Sequence, residues 1–374
     1  MIPIAKPYLT KEDAQSAYDT ILTGWITQGP RVLEFEEKFA KYVGSKFAVA
    51  VSNCTTALHL SMIVAGIKEG DEVICPSMSY IATANSIKYV GAIPIFAEVR
   101  EDYNIDPKHA ESLITVKTKA ILIVHQIGFP VDIDAFKNIC NRHNLILIED
   151  AACAAGSSYK GKKIGSHSDL VCFSFHPRKV ISTGDGGMIT TNNPEYNERL
   201  RLLRQHGMSV NDRVRHSSSK VIFEDHLEVG FNYRMTDIQA AVGIKQLEKL
   251  DWIVQERRKI AEYYLEKLKD FPHIRLPKEK PDTYINWQSF SIYILPSSPI
   301  SRNELMQKLL DEGIASRRGV MCSHRETAYK EECKNLQLPF SEDLQDNSIV
   351  IPLYIPMEIA DADKVVTFLK KFLS

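Results

Sequence analysis

Between residues 47 and 191 the chain alternates short apolar, β-rich runs with helix-like segments, and this alternation restricts its fold more than any other feature. Residues 47–51, 71–75, 92–96, 120–124, 145–148, 170–173 and 188–191 read as strands, and 55–65, 81–90 and 132–143 as helices with one apolar face. Strands separated by helices need crossover connections, and crossovers build a mostly parallel sheet covered by helices on both faces. Ligands of such α/β proteins gather beyond the carboxyl ends of the strands. The residues just after each apolar run are therefore where chemistry is expected.

After residue 234 the pattern changes. Residues 235–268 keep a helical periodicity with no proline or loop cluster, a length suited to linking two units. A proline-bearing stretch, 272–281, marks a boundary, followed by a strand over 288–295 and helices over 302–312 and 361–372. The expected organisation is a large domain over 1–250 with an N-terminal segment, and a smaller α+β domain over 251–374.

Charge and cysteine usage narrow the class. The 46 basic and 47 acidic residues nearly cancel, and no basic tract suggests nucleic acid. The longest apolar runs are strand-length, too short for a membrane span, and no signal peptide is visible. Seven scattered cysteines, an odd number, fit reduced thiols in a cytoplasmic enzyme. No C-x-x-C or H-E-x-x-H pattern points to a metal, and Cys322-Ser-His324 is weak on its own.

Four motifs fall at strand ends. The first is Ser174-Phe-His-Pro-Arg-Lys179, followed by the glycine-bearing loop Gly184-Asp-Gly-Gly187. A lysine there can form a Schiff base with an aldehyde, provided its pKa falls from the free value of roughly 10.4. Burial or a cation such as the adjacent Arg178 would lower it. An isolated lysine is ordinarily just a solvated surface residue. The second motif, Leu145-Ile-Leu-Ile-Glu-Asp-Ala-Ala-Cys153, delivers two carboxylates from an apolar strand. A buried aspartate can keep a pyridine nitrogen protonated, and Asp150 suits this, although it could equally cap a helix.

The third, Val51-Ser-Asn-Cys-Thr-Thr-Ala-Leu-His59, opens a helix with hydroxyl residues. Unpaired helix N–H groups bind phosphate, with Thr55 and Thr56 as added donors, or the same residues may serve only as caps. The fourth, Pro76-Ser-Met-Ser-Tyr80-Ile-Ala-Thr83, carries an aromatic that would stack on a flat ring or cover the core edge. A Schiff-base lysine, a ring-nitrogen acid, a phosphate cradle and a stacking aromatic together match pyridoxal phosphate. Ser174 adds a hydroxyl beside the lysine strand.

With these motifs the chain resembles the DegT/StrS family of sugar aminotransferases, of the aspartate aminotransferase fold type I. The resemblance runs from Gly24-Trp-Ile-Thr-Gln-Gly-Pro30 through Gly70-Asp-Glu-Val and Glu149-Asp-Ala-Ala152 to Gly230-Phe-Asn-Tyr-Arg-Met-Thr-Asp-Ile-Gln-Ala-Ala241. It implies Lys179 as Schiff-base lysine and proton shuttle, and Asp150 as partner of the pyridine nitrogen. It also implies Thr55, Thr56 and Ser174 as phosphate binders, Tyr80 as the stacking ring, and Asn232 reaching the phosphate of a neighbouring subunit. Two sites would then be shared across a homodimer. Where the family carries glutamine or histidine near the cofactor's phenolic oxygen, this chain has Cys153, a weak donor.

The resemblance further implies amino transfer from glutamate, by way of pyridoxamine phosphate, to a nucleotide-linked keto-deoxysugar for a surface polysaccharide or glycoconjugate. A cyclitol or a small phosphorylated ketone is the alternative acceptor, and a non-catalytic cofactor-binding regulator the alternative class. His324, Arg317 and Arg318 are candidates to face the substrate, or the arginines may end a solvated helix.

Overall fold

A computed structural model describes residues 1–210, 221 and 223–374. The expected strands form one seven-stranded sheet in the order β1-β9-β8-β5-β4-β2-β3. These are β1 (Phe47–Val51), β2 (Glu72–Pro76), β3 (Ile93–Ala97), β4 (Thr118–Val124), β5 (Ile146–Asp150), β8 (Leu170–Ser174) and β9 (Gly187–Thr191). Neighbours from β3 across to β8 pair in parallel. Only β9 runs against its neighbours β8 and β1. That antiparallel return is short because a single loop, not a helix, joins β8 to β9.

Helices cover both faces. Val49, Val51, Val73, Leu122, Ile148 and Cys172 turn to one side, where α3 (Cys54–Val64) and α4 (Ala82–Lys88) pack. Ala48, Ala50, Ile74, Ile121, Ile123, Val171 and Phe173 turn to the other, against α2 (Pro30–Val43) and α6 (Ile133–His143). Successive side chains of a strand point to opposite faces, so strands buried on both read as unbroken apolar runs. An ion pair crosses one edge of this core. Glu36 of α2, 2% exposed, accepts from Arg204 and from Arg201 at 2.7 Å, and also from the Ala50 N–H at 2.9 Å.

The helix Asp237–Leu268 is continuous over 32 residues. Its first half joins the sheet's core through Ala240, Ile244, Leu247, Leu250 and Val254. Its second half joins another core through Ile260, Ala261, Tyr264 and Leu268. There it meets a four-stranded antiparallel sheet, β10-β12-β14-β13, formed by β10 (Ile274–Arg275), β12 (Phe290–Ile294), β14 (Ser348–Ile351) and β13 (Arg317–Arg318). A small three-stranded sheet ties the two regions together, with β11 (Thr283–Tyr284) pairing with β6 (Ser158–Tyr159) and β6 with β7 (Lys162–Lys163). No described helix is long and apolar enough to cross a membrane.

Candidate active site

The two carboxylates at the end of β5 face opposite ways, as strand geometry requires. Glu149 is fully buried and accepts from His125 Nε2 at 2.8 Å. His125 Nδ1 already accepts the Val131 N–H at 3.1 Å, so Nε2 carries the proton and Glu149 is occupied. Asp150, 5% exposed, keeps a different company. Its Oδ2 accepts from Thr83 Oγ1 at 2.9 Å and its Oδ1 from the Ala152 N–H at 3.1 Å. Burial raises its pKa above the ordinary aspartate value, against the opposing pull of those donors and of Lys179. The residues after Asp150 form turns, so it caps no helix.

Lys179 lies on the loop between β8 and β9, half-buried, with its Nζ 3.2 Å from Cys153 Sγ. Burial pushes this amine's pKa down, but Cys153, Cys54 and Asp150 outweigh it and leave the pKa raised. The expected lowering is therefore absent, because the surrounding groups are acids. Arg178 is exposed. Two loops are held from the second region: Gln288 Nε2 donates to the Arg178 carbonyl of the lysine loop at 2.5 Å, and Asn286 Nδ2 donates to the Cys153 and Ala155 carbonyls of the loop after β5 at 2.8 Å each.

Beside them the helix α3 begins. Asn53 is its cap, accepting the Thr56 N–H at 2.9 Å, while the Thr56 hydroxyl donates to the Asn53 carbonyl at 2.8 Å and lies 3.3 Å from Ser52 Oγ. Thr56 is thus engaged in capping. Thr55 is half-buried and makes no side-chain hydrogen bond among the described residues. Gly187 stands between this helix start and the lysine strand. It pairs with Val51 on one side and Ser174 on the other, and a Cβ there would lie 2.5 Å from the Asn53 carbonyl. Only glycine lets the ends of β1, β8 and β9 come this close. Ser174 is buried, its hydroxyl accepting the His176 N–H at 3.4 Å.

Tyr80 is 70% exposed, so it does not cover the core edge. Its phenol acts on the charge of Arg317, whose pKa is lowered by burial first and then by Arg178 and Arg318. Arg178, Arg317 and Arg318 thus lie near enough for their charges to act on one another. Arg317 and Arg318 lie on β13, opposite Val350 and Ile349, not on a helix end. Arg318 pairs with Glu326 at 3.2 Å. His324 is buried, with Nδ1 2.5 Å from Ser77 Oγ and Nε2 3.1 Å from Glu342, so both ring nitrogens are taken. Asn232 is exposed on a segment tied to the end of β1 through Ser52 N–H and the Tyr233 carbonyl at 2.8 Å. Its Oδ1 accepts from Arg234 at 3.2 Å.

Lys179, Cys153, Asp150 and the start of α3 are thus brought together, and Tyr80, Arg178 and Arg317 form a second, neighbouring group of exposed side chains. Thr83, Asn286 and Gln288 carry no signal in the sequence as members of this site. Thr83 ends the Pro76–Thr83 motif, but nothing local points to its partner 67 residues away. Asn286 and Gln288 act through folds of the chain that periodicity does not encode.

The sequence matches the profile of the DegT/DnrJ/EryC1/StrS aminotransferase family over residues 7–370. It is 37% identical to the uncharacterized protein MJ1066 of Methanocaldococcus jannaschii, covering 100% of this chain and 98% of that one. The structure superposes on the putative sugar aminotransferase Spr1654 from Streptococcus pneumoniae, in its PMP form, with TM-score 0.94, 27% identity and coverage of 100% and 99%. Helicobacter pylori PseC, an aminotransferase involved in the biosynthesis of pseudoaminic acid, matches with TM-score 0.93, 27% identity and the same coverage. Pyridoxal 5′-phosphate, with pyridoxamine phosphate as intermediate, is the cofactor. The donors fit it: an amine within reach of solvent, a buried acid, and helix N–H groups unscreened by any side chain at Gly187. The chain belongs to the DegT/DnrJ/EryC1/StrS aminotransferase family and is a PLP-dependent aminotransferase of fold type I.

Proposed function

We propose that this protein moves an amino group from glutamate to the keto group of a nucleotide-linked deoxysugar destined for a surface polysaccharide or glycoconjugate. The observation that carries the reading is a pair of exposed guanidinium groups, Arg178 next to Lys179 in the chain and Arg317 near enough to feel the charge of Arg178. Neither arginine has a carboxylate partner among the described residues. Exposed guanidinium groups with planar donor forks suit a diphosphate linkage, which a free cyclitol lacks. The likeness to PseC supports a sugar acceptor.

Bound pyridoxal phosphate supplies an aldehyde and a protonatable ring that acts as an electron sink. With the cofactor bound, Lys179 Nζ would hold its aldehyde, and when free would take a proton from the α-carbon of the amino donor. The sulfur of Cys153 at 3.2 Å steadies the amine while it is free. Asp150, kept from water, would hold a proton at the ring nitrogen. Thr55, Thr56, Ser174 and the first N–H groups of α3 would bind the phosphate. Tyr80 would stack on the ring, while Arg317 and Arg318 would orient the acceptor, with His324 setting the loop behind them.

We infer too that two copies share their sites, Asn232 of each reaching the other. Phe223, 89% exposed, and Val229, 88% exposed, lead into the Asn232 segment, and apolar side chains so bare favour a partner surface. The test is a panel of ketones with glutamate, followed by 2-oxoglutarate release. Turnover with nucleotide-linked keto-sugars, and far less with cyclitol or small phosphorylated ketones, supports the reading. The reverse order of preference sinks it.

A further inference from the structure

Asp150 is the end of a buried chain of hydroxyls. Thr83 Oγ1 donates to Asp150 Oδ2 at 2.9 Å, and Ser79 Oγ lies 2.7 Å from Thr83 Oγ1. Both hydroxyl residues are enclosed, Thr83 at 1% and Ser79 at 2% exposure. An ionised carboxylate only accepts, so the Thr83 proton points to Asp150, and Thr83 must accept from Ser79. The chain has one direction: Ser79 to Thr83 to Asp150. A threonine within a helix ordinarily turns its hydroxyl to the carbonyl one turn back. Thr83, in the first turn of α4, instead directs it to Asp150 at the end of β5. Ser79 is anchored in turn by its N–H, which donates to the Met321 carbonyl at 3.0 Å, in the segment that follows β13.

We propose that Thr83, backed by Ser79, is a positioning residue that sets how firmly Asp150 holds a proton on the cofactor's ring nitrogen. The proposal rests on the role given to Asp150 above. Two protein donors occupy one lone pair on each Asp150 oxygen, which orients the carboxylate and limits its basicity. Without the Thr83 hydroxyl, Asp150 becomes the stronger base and draws the shared proton to itself. The ring is then a poorer electron sink, although its other contacts are unchanged. Enclosure from water strengthens each link of such a chain.

Thr83→Val keeps the side-chain shape and removes the hydroxyl, while Thr83→Ser keeps the hydroxyl. Asp150→Asn serves as the benchmark. Three quantities are read: the dissociation constant of pyridoxal phosphate from cofactor-free protein by fluorescence, the pH titration of the bound cofactor's absorbance, and kcat and KM for glutamate. Thr83→Val is expected to weaken cofactor binding and lower kcat by about tenfold or more, the size of one hydrogen bond to a charged group, with KM little changed. Its absorbance titration shifts, and Thr83→Ser restores all three.

Wild-type binding and titration in Thr83→Val, beside an impaired Asp150→Asn, overturn the proposal and leave the role of Asp150 intact. Equal impairment of the valine and serine variants also overturns it, since packing would then be the cause. A fully active Asp150→Asn removes the foundation itself. If Thr83→Val does not fold, Ser79→Ala carries the test: a severalfold loss with a shifted titration is expected, and no change overturns it.

Discussion

At the scale of single residues, the site places an amine among acids. Lys179 has its pKa raised because the Cys153 sulfur, Cys54 and Asp150 together exceed the downward effect of burial. A raised amine pKa means the charged form persists as pH rises, and the nucleophilic form appears only above the raised value. Cys153→Ala removes the nearest of these groups. In cofactor-free protein the reactivity of Lys179 toward an acylating reagent should then set in at lower pH than in the wild type. An unchanged pH midpoint, read by peptide mass, would show that the sulfur does not govern the amine. Lys179→Ala should lose transamination entirely while melting close to the wild type, because the side chain is half-buried and packs no core. Borohydride should attach cofactor mass to the wild-type protein and not to this variant.

The scale of elements explains why the site forms at all. The carboxyl ends of β5 and β8 carry Asp150 and lead to Lys179, and the loop after β1 starts α3. Gly187 is where these ends meet, and an added Cβ would lie only 2.5 Å from the Asn53 carbonyl. Gly187→Ala must push the start of α3 from β9, since both contacting groups are backbone. A cost of about 2 kcal/mol is expected from such overpacking, seen in urea denaturation. Cofactor affinity should fall with it, because the displaced group is the helix start itself. An alanine variant with full stability and affinity would mean that α3 can retreat without consequence. The Asn53–Thr56 cap contributes about 1 kcal/mol to the same helix, so its hydroxyl serves local structure whatever else it binds.

At the scale of the whole molecule, the second region stabilises the site rather than merely flanking it. Asn286 and Gln288 reach the Cys153 and Arg178 carbonyls, and Arg257 of the long helix fixes that segment by donating to the Trp287 and Gln288 carbonyls at 2.8 and 2.7 Å. Assembly adds a further level. If Asn232 completes the partner's site, then Lys179→Ala and Asn232→Ala proteins, each inactive alone, should regain partial activity when unfolded together and refolded. In a mixed dimer one site holds both native residues. Failure to regain any activity, with mixed dimers verified by native mass, would place Asn232 in its own chain's site.

The apolar runs at 47–51, 120–124 and 170–173 announced the parallel sheet because strands buried on both faces must be apolar throughout. The positions of Lys179, Asp150 and the helix start at Asn53 were legible for a related reason: Asp150 ends β5, Asn53 comes two residues after β1, and Lys179 lies in the loop that leaves β8. What the tertiary structure decided was which groups meet. Thr83 finds Asp150, Gln288 finds Arg178, and Arg317, for which a helix end was one alternative, lies on strand β13 and pairs with Val350, 33 residues further along the chain. Glu149 and Asp150 are neighbours in sequence, yet one is locked to His125 and the other joined to a hydroxyl chain. Their division follows from the pleat of one strand and from what packs on its two sides, which residue order along the chain does not specify.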